Sequence, residues 1–218
     1  MKAFAKIARI SFVLLMAMGV AAPAHASHTI TIRIDGDKHL RPRNLDGLST
    51  NPEDPAKNHP VAWRNDDNVA HDFFFPREVL FSGLPDRLSP GEVSDPLRLE
   101  FASTYPYRCQ IHPGMTGTLK VNPAIFEPGH PGNYVVTNGP DDAAILRLAN
   151  VELPQNFVFD IQRKRDDDVW KQVATAVTRT KIAVSPNEPG AYRFRVRLRH
   201  YTSGDALDWA ASKLLIVE

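Results

Sequence analysis

Cys109, His112 and Met115 stand three residues apart in the stretch YRCQIHPGM, residues 107–115, and Cys109 is the only cysteine of the chain. A thiolate and a thioether are soft metal donors and an imidazole is intermediate, so this set favours copper, above all in its reduced state. Two His and one Cys in a trigonal array with a weak axial Met form a known copper geometry, and Cys-x2-His-x2-Met can deliver three of the four from one loop. Cys109 would end one strand, His112 would sit in a turn favoured by Pro113-Gly114, and Met115 would enter the next strand. The second imidazole must come from elsewhere, and His71, which opens HDFFFP, is the best candidate. At period two His71, Phe73 and Phe75 share a face, as do Tyr105, Tyr107 and Cys109. A lone Cys can also be a small inert core residue or pair between chains. A structural zinc site would usually recruit two or more cysteines.

The start of the chain bears on the choice. Lys2, Lys6 and Arg9 precede an apolar run from Ile10 to Ala22, and Ala24-His25-Ala26 fits a small-x-small cleavage site. Residues 1–26 read as a secretory leader, too short in its apolar stretch for a membrane span. The expected location is periplasmic or secreted. Cleavage after Ala26 leaves 192 residues of the 218 and removes three of 26 basic residues but none of 25 acidic ones. The slightly acidic remainder argues against general nucleic-acid binding. Met1, Met16 and Met18 leave too, so the mature chain keeps one Met, six positions from its one Cys. Outside the cytosol a lone thiol makes no internal disulfide, which leaves a chemical use open.

The elements that must position these donors are short runs separated by Pro, Gly, Asn and Asp, an all-β pattern. Expected strands are 28–34, 61–65, 71–75, 97–101, 104–109 and 117–121, then 144–148, 157–162, 169–173, 181–184, 191–200 and 213–217. Residues 44–60 are polar and read as a surface loop, and 205–212 could hold a helical turn. A proline- and glycine-rich seam near 122–140 divides the chain into a metal-binding domain, 27–123, a linker, 124–137, and a second domain, 138–218.

Three stretches, VAWRNDDNVAHDFFF, LSPGEVSD and YPYRCQIHPGMTGTLKV, make residues 27 to about 123 resemble a cupredoxin of the plastocyanin and amicyanin kind. The Cys-His-Met spacing is most similar to amicyanin. The resemblance implies an antiparallel Greek-key sandwich holding one type 1 copper ion through His71, Cys109, His112 and Met115, with His112 as the electron port to redox partners. Pro113, Gly114, Phe74 and Leu84 are candidates for the surface around it. Asp72 stands where the family commonly has an Asn that ties the ligand loops. Ile111 replaces a frequent Pro, freeing an N–H that could reach the Cys109 sulfur. The second domain is similar, more weakly, to fibronectin type III or other immunoglobulin-like sandwiches, through NFVFDIQRKRDDDVWKQV, SPNEPGAYRFRVRLRHYTSG and SKLLIVE.

Arg193, Arg195, Arg197 and Arg199 alternate with Phe194, Val196 and Leu198, which places four guanidinium groups on one strand face. They read as a solvated face balanced by partners such as Asp160, or as a docking surface for an acidic partner. No nucleophile motif, phosphate loop or trinuclear-cluster histidine pattern is visible, so the chain reads as a carrier and not an enzyme. The leading function is electron transfer by an exported copper protein; the alternative is copper trafficking or accessory binding without redox turnover.

Overall fold

A computed structural model describes residues 29–51, 59–76, 84, 86–127, 135–137 and 143–218. The proposed leader and its cleavage site, residues 1–26, lie outside the described residues, as do 52–58 of the expected loop and 128–134 of the expected linker. Among the described residues all regular structure is β, and no helix is long and apolar enough to cross a membrane.

The first half holds strands β1 (Ile30–Ile34), β2 (Leu40–Arg41), β3 (Asn44–Ser49), β4 (Val61–Asn65), β5 (Phe73–Phe74), β6 (Ser103–Cys109) and β7 (Thr116–Asn122). They form two sheets, ordered β2-β1-β4 and β3-β7-β6-β5. Alternation decides what β1, β6 and β7 bury, while β4 is buried on both faces except at Arg64. Ile32 and Ile34 of β1, Val61 and Trp63 of β4, and Tyr105 and Tyr107 of β6 are buried, as are Leu119 and Val121 of β7. The pairing is mixed, not purely antiparallel: β1 runs parallel to β4, and β3 parallel to β7. Residues 44–49 are therefore a strand and not the start of a loop. Their polar side chains hide it, because the strand is held by backbone pairing to β7 and by the single buried anchor Leu48. A bulge falls between Asp46 and Leu48, where Gly47 adopts φ +114°, a conformation glycine reaches without steric cost. Residues 97–101 alternate like a strand but pair only through isolated bridges, Val61 with Leu97 and Phe101 with Ala149.

The second half contributes β8 (Ala124–Phe126), β9 (Val135–Thr137), β10 (Ala144–Arg147), β11 (Phe157–Arg165), β12 (Lys171–Val177), β13 (Lys181–Val184), β14 (Gly190–His200), β15 (Ala210–Ala211) and β16 (Leu215–Val217). One sheet runs β13-β10-β8; the other runs β12-β11-β14-β16-β9, with β15 against β14. Residues 124–126, read from composition as linker, thus pair with β10. Residues 205–212 hold no helical turn: Ala206 bridges Arg199, and Ala210–Ala211 pair with β14.

The two halves share one buried cluster, running from Ile32 and Trp63 to Phe194 and Leu215. Polar stitches cross the join. The Ala102 N–H donates to Leu148 O at 2.8 Å, and the Thr104 N–H to Asp208 O at 2.9 Å. The fully buried Ser103 hydroxyl donates to Asp208 O (3.1 Å) and accepts from the Leu198 N–H (3.2 Å). Thr50, also fully buried, donates to Arg147 O and accepts from Ala124 N–H.

Candidate metal centre

The centre sits where the end of β6 meets the loop after β4. Cys109 is the last residue of β6 and is buried; its strand neighbour across the sheet is Phe73. The chain then turns back tightly. The Met115 N–H donates to His112 O (3.2 Å) and the Cys109 N–H to Met115 O (2.9 Å), with Gly114 at φ +91°. This closes the loop so that Cys109, His112 and Met115 start from one short hairpin. His71 approaches from the other side, fully buried, its backbone exchanging two hydrogen bonds with Leu88. The Gln110 N–H donates to Asp72 O at 2.7 Å, which ties the two ligand loops together through backbone atoms. With Asp72 in place of the Asn side chain that makes this tie in the family the sequence resembles, the backbone oxygen of residue 72 makes it here.

The donor atoms converge. Cys109 Sγ lies 3.8 Å from His71 Nδ1 and 3.5 Å from His112 Nδ1, and the two Nδ1 atoms are 3.1 Å apart. Nitrogen and sulfur atoms sharing one ion at about 2.0–2.3 Å stand roughly 3–4 Å from each other, so the three atoms have the spacing of a common ligand shell. Met115 is buried behind the same turn. Burial, the largest influence, pushes the His71 imidazole below its ordinary pKa against the opposing pull of Asp67. A neutral ring keeps the lone pair that a metal requires. The donor set of two imidazoles, one thiol and one thioether suits copper.

Beneath the donors lies an aromatic floor. The Phe73 and His71 rings stack at 6.2 Å, and Trp63 packs on Phe73 at 6.1 Å and edge-on to Tyr107 at 5.5 Å. Gly117 makes room for this floor, since a Cβ there would fall 2.5 Å from Tyr107 Cζ and Oη. The floor is buried, with Trp63, Phe73 and Tyr107 each no more than 2% exposed.

No family model matches the chain, and no curated protein matches it. Among solved structures it is similar to amicyanin, in the reduced Cu(I) form of a variant at pH 4, with 20% identity, TM-score 0.34, and coverage of 44% of this chain and 85% of that one. A purple cupredoxin from Nitrosopumilus maritimus gives 23% identity and TM-score 0.32 over 43% of this chain and 99% of that one. A multicopper oxidase gives 12% identity and TM-score 0.29 over 88% of both chains. The case for a metal rests on the donor geometry itself.

Other expectations fare differently. Among the described residues the polar neighbours of the Cys109 sulfur are the two imidazoles, and the Ile111 N–H is not one of them. Leu84 is buried, not part of a surface around His112; Phe74 is half-buried with the Arg108 guanidinium 4.7 Å from its ring centre. Asp35, Asp37 and His39 also cluster, but on an exposed turn where Arg41 engages Asp35 at 2.6 Å.

The arginine row divides into parts. Arg197 and Arg199 both donate to Asp160, a carboxylate only 3% exposed. Arg195 donates to Gln162 and lies between the rings of Trp170 and Trp209, at 4.6 and 4.8 Å from their centres. Arg193 is exposed and lines a groove of about 280 Å³ at the join of the halves, with Lys120, Lys213 and Asp46. Sequence reasoning missed Asp67 and Asn65. Asn65 is fully buried, its amide donating to Val69 O and Leu88 O, while its oxygen accepts the Asp67 N–H. It thereby fastens the loop that carries His71.

Proposed function

We propose that the chain is an exported type 1 copper protein that carries single electrons, holding one ion through His71, Cys109, His112 and Met115. The observation that carries the reading is the convergence of Cys109 Sγ with two imidazole Nδ1 atoms at 3.1–3.8 Å in a buried setting. Bound copper supplies a one-electron couple. The protein supplies a frame that need not move between oxidation states. The backbone ties from Cys109 to Met115 and from Gln110 to Asp72 fix both loops, and Cys109 serves as a thiolate, deprotonated on metal binding. His112 is half-buried between the exposed Ile111 and Pro113, which gives redox partners a small contact beside a ligand. Interfaces of that size suit transient electron-transfer encounters.

The reading assigns no catalytic residue, and takes the leader at 1–26 to send the chain to the periplasm or beyond. The second half is read as an immunoglobulin-like or fibronectin type III-like module. An acidic partner there would dock mainly through the exposed Arg193, because Arg195, Arg197 and Arg199 are engaged within the sheet.

The test compares two rates on the copper-loaded protein. Electron self-exchange is followed by NMR line broadening in mixtures of the oxidised and reduced forms, and copper loss is followed to a chelating acceptor. Fast exchange with slow loss supports the carrier reading. Sluggish exchange with rapid loss supports copper trafficking instead.

A further inference from the structure

Asp67 lies four residues before His71, only 4% exposed, and its Oδ2 stands 3.2 Å from His71 Nε2. Its other oxygen, Oδ1, accepts the Asn68 N–H at 2.7 Å, and its own N–H is held by Asn65 Oδ1 at 2.9 Å. The carboxylate is therefore held at Oδ1 while Asn65 pins the backbone behind it, and it presents its other oxygen to the ring. A carboxylate has no hydrogen to give, so this contact is a hydrogen bond only when Nε2 carries the proton. A neutral imidazole has one proton to place. With it on Nε2, the Nδ1 lone pair faces Cys109 Sγ and His112 Nδ1; with it on Nδ1, the ring presents an N–H to them and cannot ligate.

We propose that Asp67 is the positioning residue of the centre, holding His71 in the one tautomer that can bind a metal. The consequence for copper rests on the function proposed above; the tautomer does not. The environment also fixes what an amide would do in its place. The Asn68 N–H demands an acceptor, so an Asn at 67 would turn its oxygen there and its NH2 toward Nε2. The bond to the ring would then reverse, Nε2 accepting and Nδ1 carrying the proton inward. Asp67→Asn thus keeps the shape and exchanges the tautomer, as a wrong tautomer can disable an otherwise intact site.

The experiment uses nitrogen NMR of His71 in the metal-free protein, together with Cu(I) and Cu(II) affinities by chelator competition. The native protein is expected to show the Nε2–H form. Asp67→Asn is expected to shift His71 to the Nδ1–H form and weaken binding of both ions by about 10- to 100-fold, the usual penalty for losing a partner behind a ligand. Asp67→Ala, which offers neither acceptor nor donor, is expected to show both tautomers. A native protein with mixed tautomers, or an Asp67→Asn protein that keeps Nε2–H and native affinity, overturns the proposal. If the tautomers behave as stated but the native protein binds no copper, the copper reading fails and the positioning role stands.

Discussion

Asp160 decides how the arginine row should be understood, and its removal has a calculable cost. The carboxylate is buried on β11 opposite Arg197 and accepts from Arg197 and Arg199 at 2.9–3.1 Å. Asp160→Asn leaves two guanidinium groups side by side with no anion. Breaking a buried ion pair by removing one partner costs about 3–5 kcal/mol. Here the arginine side chains keep 34% and 19% of their exposure, so water recovers part of that loss. The expected destabilisation is about 2–3 kcal/mol, or roughly 4–12 °C in Tm for a chain of this size. Burial raises the Asp160 pKa, but the hydrogen bonds and charge of Arg199 and Arg197 outweigh it and the net shift is downward from 3.8. A depressed carboxyl pKa contributes stability above the unfolded value that is lost as pH falls through the folded one. The gap between native and Asp160→Asn proteins, read from urea unfolding, should therefore be full at neutral pH and close progressively below about pH 4. A loss under 0.5 kcal/mol at neutral pH, or a gap that persists in strong acid, would refute the idea that Asp160 balances the row.

Three further outcomes follow from the packing. Gly117→Ala drives a methyl into Tyr107 and the Arg43 carbonyl, which should cost about 1–3 kcal/mol or more in chemical denaturation and disturb the aromatic floor; a neutral substitution would contradict the packing described. Ser103→Ala removes a hydroxyl shared by Asp208 and Leu198. It should cost about 1–3 kcal/mol while calorimetry of the whole chain still shows one transition, since the halves share a core; two separate transitions in the native protein would contradict that. Asn65→Ala leaves the Val69 and Leu88 carbonyls without this donor, and should destabilise the metal-free protein by about 1–3 kcal/mol in urea, with increased hydrogen exchange over 66–71; unchanged exchange there would count against its role as a fastener.

What could be read from the chain depended on which force set each feature. Where side-chain alternation governs, as at Lys181–Val184 and the arginine strand, the strands follow the pattern. The Cys109–Met115 loop was legible because three uncommon donors recur at close spacing. Asn44–Ser49 was not, because its stability comes from backbone pairing to a strand some 74 residues away. Leu97–Phe101 misled in the other direction, alternating without a neighbouring strand to pair along its length. The stitching of Ser103 and Thr104 to Asp208 and Trp209 joins residues 105 apart and leaves no local trace. Asp67 had a trace in the acidic pair before His71, yet attention falls naturally on Asp72, the residue adjacent to the ligand. Only the loop geometry brings the four-residue neighbour to Nε2.

The most direct measurement is the visible absorption of the purified protein titrated with Cu(II). One equivalent should bind and produce the intense charge-transfer colour of a cupric thiolate, lost in Cys109→Ser and in His71→Ala. A colourless cupric protein, or colour that survives the loss of the Cys109 sulfur, would contradict the account.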